Sequence, residues 1–256
     1  MFIHNLNPTL INIGPLEIRY YGLVYVIGFI LLWYVLNKKR KELKLKKKDV
    51  EDFVLYLILA VLIGSRLFTV LVWDPVYYIQ NPLKIFAVWD GGMAFHGGLI
   101  GVIAAVYYFC KKHKLKFLKL ADILTFPALF ALALGRIANF INGEIVGTVT
   151  NVWWCVKFPN YNGCRHPVQL YGAAGRFLLL GFLAIIKDYK KNLKDGFIFW
   201  SFVFFMGLGR FFCDFLRADP RIFGLSLGQY LSAIMALVAG YILWKYYKNN
   251  ELFKRK

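Results

Sequence analysis

Phe197-Ile198-Phe199-Trp200-Ser201-Phe202-Val203-Phe204-Phe205-Met206-Gly207-Leu208-Gly209-Arg210-Phe211-Phe212-Cys213 is an apolar run broken by a single charge, Arg210. About 20 mostly apolar residues are needed for a helix to cross a hydrocarbon core of about 30 Å. Comparable runs occupy 20–36, 53–73, 93–110, 123–141, 168–186 and 227–244, so the sequence predicts seven membrane spans. Lipid offers backbone N–H and C=O groups no partner, and the runs are too long and uniform for barrel strands, so helices are expected. Composition agrees: 59% of residues are hydrophobic and 18% are charged, with a mean hydropathy of +0.53. The predicted fold is a single all-α integral membrane domain over 1–256, with a small outer head region at about 142–167.

The formal charge of +18 would suit nucleic acid if the basic residues shared a folded face. They lie between the spans instead, where Lys and Arg mark the cytoplasmic side. Of 32 Lys and Arg residues, 22 fall in 38–48, 111–119, 187–194 and 245–256, while the alternate loops hold only Lys84, Lys157, Arg165, Arg217 and Arg221. This asymmetry puts the N-terminus outside and the C-terminus in the cytoplasm of a plasma or inner membrane, and it excludes a nucleic-acid partner. Residues 1–15 lack the basic start and short apolar stretch of a cleavable signal. No internal repeat is visible.

Five arginines remain: Arg19, Arg66, Arg136, Arg176 and Arg210, each in or at the edge of a predicted span and toward its outer half. A charge at the bilayer centre costs roughly 2.5–3.5 kcal/mol on insertion scales. One such arginine can snorkel to the interface. Five on one side suit an anionic lipid, because the guanidinium fork matches a phosphate and stays charged.

Polar interruptions supply candidate chemistry. In Gly135-Arg136-Ile137-Ala138-Asn139-Phe140-Ile141-Asn142-Gly143-Glu144, Arg136 and Asn139 are spaced to share a helical face, and the Asn142-Gly143 turn would fold Glu144 back toward it. His96 sits among Gly91, Gly92, Gly97 and Gly98 at the outer start of the third span, where a neutral imidazole can accept a proton. Arg210 and Asp214 are four apart and can pair across one turn. Cys155 and Cys164 bracket a short outer segment and could form a disulfide worth about 2–3 kcal/mol. Metal and nucleotide sites are not expected: the four histidines are dispersed, no Cys pair has zinc spacing, and there is no Gly-rich phosphate loop or Gly-x-Ser-x-Gly elbow.

Taken together, these stretches resemble the prolipoprotein diacylglyceryl transferases. The segment 135–144, followed by Gly147, is similar to the family signature, and 89–98, 166–171 and 210–217 match in order and spacing. The likeness runs from Arg19-Tyr20-Tyr21-Gly22 to Gly224-Leu225-Ser226-Leu227-Gly228-Gln229. It implies transfer of a diacylglyceryl group from phosphatidylglycerol, or a related anionic glycerophospholipid, to the lipobox cysteine thiol of a prolipoprotein. No cofactor is implied, and seven spans with an outside N-terminus agree with the charge pattern. The resemblance assigns catalysis to Tyr21, His96, Arg136 and Arg210, and substrate binding to Arg136, Asn139, Glu144, Gly147 and Asp214; Arg66 joins them as a groove arginine. The sequence departs from the family at Ala138, usually glycine, at Asp214, usually glutamate, and at Gly172, where an acidic residue is common; 64–69 also differs from the usual glycine-rich version. The competing expectation is a non-enzymatic anion or lipid transporter. It would need basic residues along a path to both faces, often with inverted repeats, and neither is found. A membrane acyltransferase would need a histidine–acid pair, which is missing.

Overall fold

A computed structural model describes residues 1–14, 16–190 and 192–248. Pro15, Lys191 and the end of the basic tail, 249–256, which enter the leader and charge readings, lie outside the described residues. The elements in chain order are β1 (Phe2–Ile3), β2 (Thr9–Ile13), β3 (Leu16–Arg19), α1 (Tyr20–Lys39), α2 (Lys47–Phe68), α3 (Pro75–Gln80), α4 (Phe95–His113), α5 (Phe117–Ile141), β4 (Val156–Lys157), α6 (Val168–Tyr189), α7 (Phe197–Cys213) and α8 (Leu227–Tyr247). The protein is thus mainly helical. Among the described residues, six helical stretches are long and apolar enough to cross a membrane: Tyr20–Lys39, Lys47–Trp73, Phe117–Ile141, Val168–Tyr189, Phe197–Leu216 and Leu227–Tyr247. The expected span at 93–110 corresponds to α4, which is not among the six. Its glycines (Gly97, Gly98, Gly101), tyrosines and terminal Lys111-Lys112-His113 dilute its hydropathy.

The helices expose aliphatic side chains that a protein in water would cover: Ile30 is 61% exposed, Leu71 68% and Leu237 74%. A hydrocarbon solvent makes that surface favourable, because the helix satisfies its own backbone. Two small sheets depart from the all-α expectation. β2 pairs antiparallel with β3, and β1 pairs parallel with β4. The period-2 signal in 9–13 is faint, because the positions alternating with Thr9, Ile11 and Ile13 are apolar Leu10 and polar Asn12.

Contacts group the chain into two compact units, one of residues 1–28 with those from 121 onward, the other of residues 29–120. In the second unit, α2 crosses α4 at glycines. A Cβ placed on Gly64 would come within 2.5 Å of the Gly97 carbonyl oxygen, and Cβ atoms on Gly97 or Gly101 would strike the backbone at Gly64 and Ala60. Below the crossing, Phe53 stacks on Phe109 with ring centroids 4.1 Å apart.

In the first unit, α7 packs against both α6 and α8. Gly207 lets α7 approach α8, since a Cβ there would lie 2.8 Å from the Ser232 carbonyl oxygen. Asp122 on α5 caps α7 from outside: its carboxylate accepts the Gly196 and Phe199 N–H groups, each at 2.7 Å. Leu129, Leu183, Phe197 and Ile198 form the core beside it. Residues 142–167 form a loop-rich head in which Cys155 is bonded to Cys164, with Cα atoms 5.6 Å apart. β1 lies along this head, and buried His4 places Nε2 2.7 Å from the Phe140 carbonyl oxygen.

Candidate functional site

Three helix ends of the first unit enclose a cavity of about 520 Å³. The last turns of α5 supply Arg136. The first turns of α6, started by Pro167, supply Tyr171, Gly172 and Arg176. The end of α7 and its following 3-10 turn, Asp214–Leu216, supply Arg210, Cys213 and Asp214, with Arg217 next in the chain. Four arginines therefore face a single carboxylate. The rest of the wall is hydrocarbon and aromatic, with Leu178, Leu179, Phe182, Phe205, Met206 and Phe212. One end of the cavity is suited to an anion, and the wall to acyl chains.

Asp214 holds two of the arginines. It is 3% exposed and receives Arg210 Nε and Arg217 Nη1, both at 3.4 Å. Arg217 also donates to Asp219 at 3.0 Å. The Asp214 carboxylate approaches the first turn of α8 through Gly228, where a Cβ would come within 2.8 Å of Oδ2. A helix N-terminus favours a negative charge at that place. Arg136 and Arg176 have no carboxylate partner among the described residues. Arg176 donates Nη1–H to the Gly172 carbonyl oxygen at 2.7 Å, while its buried Nε has no partner.

Beside the cavity, Asn139 donates to Glu144 Oε1 at 2.7 Å and Asn142 donates to the same oxygen at 3.1 Å. Gln169, fully buried, donates to the Glu144 carbonyl oxygen at 2.6 Å. The amides lock the turn and leave the Glu144 carboxylate exposed.

A family model described as prolipoprotein diacylglyceryl transferase matches residues 8–245. The chain is 42% identical over 242 residues to the phosphatidylglycerol–prolipoprotein diacylglyceryl transferase of Geobacter sulfurreducens, covering 91% of this chain and 93% of that one. It is 41% identical over 253 residues to the enzyme of the same name from Rickettsia rickettsii, covering 95% and 98%. The chain belongs to the prolipoprotein diacylglyceryl transferase family.

For a prolipoprotein diacylglyceryl transferase, several expected site residues sit differently from their sequence reading. Arg136 and Glu144, expected to converge, are not bonded to each other: Glu144 is held by Asn139 and Asn142, and Arg136 turns into the cavity. Arg66, expected among the substrate-binding residues, has no donor to offer. Its Nε donates to Ile85 O at 2.9 Å, Nη1 to Gly91 O at 2.5 Å and Gly92 O at 3.3 Å, and Nη2 to Ala87 O at 2.9 Å and to Lys84 O. These five carbonyls account for all five guanidinium N–H groups, and the group also lies 5.1 Å from the Tyr78 ring centroid. It is 5% exposed and fastens the segment 81–92 to α2.

Gly147 binds the head together rather than approaching the cavity. A Cβ there would lie 2.7 Å from the His166 Cβ and 2.9 Å from the Leu216 carbonyl oxygen. Arg165 donates to its carbonyl at 2.9 Å. The glycines beside His96 serve the α2–α4 crossing, while His96 itself is exposed, with Phe68 and Phe95 rings about it at 6.0 and 5.9 Å. Tyr21 is 39% exposed, lies 5.6 Å ring to ring from Tyr25, and does not line the cavity. Arg217 is the cavity residue that the sequence reading misses by leaving it among loop charges. Its signal was the spacing of 210, 214 and 217, which is one helical face continued by a turn.

Proposed function

We propose that the chain transfers a diacylglyceryl group from phosphatidylglycerol to the lipobox cysteine thiol of a prolipoprotein, the first step of lipoprotein maturation. The observation that carries this reading is the cavity with four arginines at one end and Leu, Phe and Met walls. Arg136 and Arg210 hold the donor phosphate and stabilise charge on the leaving group. Asp214 keeps Arg210 and Arg217 oriented. The thiolate attacks the glyceryl carbon, the carbon–oxygen bond to phosphate breaks, and glycerol phosphate leaves with the bonding electron pair. His96 is the proposed acceptor of the thiol proton, since the thiolate is the reactive form. Tyr21, Asn139 and Glu144 are proposed to position donor or peptide, and Gly147 to keep the head in shape.

We further propose seven spans, with α4 as the seventh, an outside N-terminus and a cytoplasmic C-terminus. The active site then faces outward from a bacterial inner membrane. The charge asymmetry of the loops supports this topology.

Transfer of labelled lipid from phosphatidylglycerol vesicles to a lipobox peptide tests the function. Arg136→Ala and His96→Ala are each expected to lower the rate about 100-fold or more, as removal of a charge-stabilising or proton-accepting group does. Near-normal rates from both variants would overturn these roles, and no transfer by the wild-type chain would overturn the function.

A further inference from the structure

The four arginines of the cavity are not equivalent. Arg210 and Arg217 share Asp214, so much of their charge is answered inside the protein. Arg136 and Arg176 share the cavity with Asp214 but make no ion pair with it or with any other acid among the described residues. They meet over Gly172, whose missing side chain makes the space: a Cβ there would lie 2.9 Å from Arg176 Nη1 and 3.6 Å from Arg136 Cδ. Two like charges held together in a partly apolar wall repel each other, and a buried unpaired N–H such as Arg176 Nε costs free energy as well. An anion between them would relieve both.

The proposed reaction supplies such an anion late. The donor phosphate is a diester with one negative charge. When the glyceryl carbon–oxygen bond breaks, the electron pair stays on the phosphate oxygen, and the product is a monoester carrying about −1.5 to −2 at neutral pH. The thiol proton goes to the base, the sulfur keeps the new carbon bond, and charge is conserved. An arginine that meets this added charge binds the transition state more tightly than the ground state.

We infer that Arg136 and Arg176, straddling Gly172, form a second anion seat that takes the charge gained by the departing phosphate, so that Arg176 contacts the substrate. This rests on the transferase reading and adds a binding preference that reading does not require: a phosphomonoester over a phosphodiester. Gly172 is the residue that keeps the seat cationic and open.

The test uses the full-length protein in detergent micelles and two probes, glycerol phosphate as monoester and glycerophosphoglycerol as diester, with binding measured by calorimetry. The wild type should prefer the monoester by about tenfold or more, the size of one charge-assisted hydrogen bond. Arg176→Gln should remove most of that preference, and Arg176→Lys should restore part of it. Gly172→Glu, which places a carboxylate on the seat, should act like Arg176→Gln. In transfer assays, Arg176→Gln should lower kcat while leaving the KM for phosphatidylglycerol within about twofold. A preference for the monoester that survives both Arg176→Gln and Gly172→Glu would overturn the seat. So would a wild type that binds the two probes equally. Wild-type binding with no lipid transfer would instead overturn the transferase reading and leave the seat standing.

Discussion

Arg66 and Arg176 both interrupt apolar helices, and only their neighbours separate them. Five carbonyl oxygens surround the Arg66 guanidinium, whereas Arg176 has one carbonyl and a buried Nε without a partner. Arg66→Ala would take the shared donor from those carbonyls, of which Lys84 O keeps the Ala87 N–H, and would untie their segment from α2, so a thermal shift assay should show a loss on the order of 3 kcal/mol or more. The surviving folded fraction should keep its KM for phosphatidylglycerol. A raised KM at unchanged stability would return Arg66 to the donor site. The sequence places both residues in spans, but it cannot say which carbonyls a loop will bring back. Segment 81–92 returns to α2 through two short 3-10 turns, Pro82–Phe86 and Val88–Asp90, each too brief to leave a period that can be read. Arg210 with Asp214 was legible because Asp214 directly follows the last residue of α7, close enough for the four-residue spacing still to fix the face. Arg217 was harder to read, because the spacing that links it to 210 and 214 runs through the 3-10 turn rather than along α7 itself.

At the scale of elements, helix crossings and end caps decide how closely spans can approach. Gly97→Ala would push a methyl group into the Gly64 backbone, which cannot swing aside as a side chain can. The expected destabilisation is about 1–3 kcal/mol, measured as a shift in Tm in detergent. An unchanged Tm would mean that α2 and α4 cross less tightly than described. In the short link between α1 and α2, burial pushes the Glu42 carboxyl upward, but Lys39 and Lys119 outweigh it and hold the group below the usual carboxylate range. A depressed carboxylate contributes stability above its unfolded pKa, and loses it as pH falls through the folded value. Glu42 is about half exposed, so the contribution should stay below about 1 kcal/mol. Glu42→Gln should flatten the acid limb of the stability–pH curve by that small amount without touching its neutral value by more. The apolar helices themselves were legible, because length and uniform hydropathy are properties of the chain alone. The β2–β3 hairpin was not, since five residues with a polar interruption carry too little alternation. Asp122 as a cap for α7 was also hidden: its partners, Gly196 and Phe199, are far along the chain, and capping signals are legible only when local.

For the whole molecule, the bond between Cys155 and Cys164 closes a nine-residue separation inside the head. Cys155→Ser with Cys164→Ser should cost about 2–3 kcal/mol of stability, read as a lower Tm, with wild-type transfer once folded. Loss of transfer at unchanged Tm would give the cysteines a chemical role instead. The composition announced a membrane protein, and the loop charges proposed its direction. The division into two compact units was not legible, because it depends on which helices meet, and apolar helices of similar hydropathy carry little information about their neighbours.

The pairing of β1 with β4 sets an order in time. Phe2 lies beside Val156 and Ile3 beside Lys157, so the earliest strand has to wait for a partner that the ribosome makes much later. At about 5–20 residues per second, that delay is on the order of ten seconds. Meanwhile α1 to α5 are already emerging, and the β1 edge is open to any neighbour. Its docking should therefore be among the last steps of assembly, and the head should be the part of the newly made protein most open to a protease.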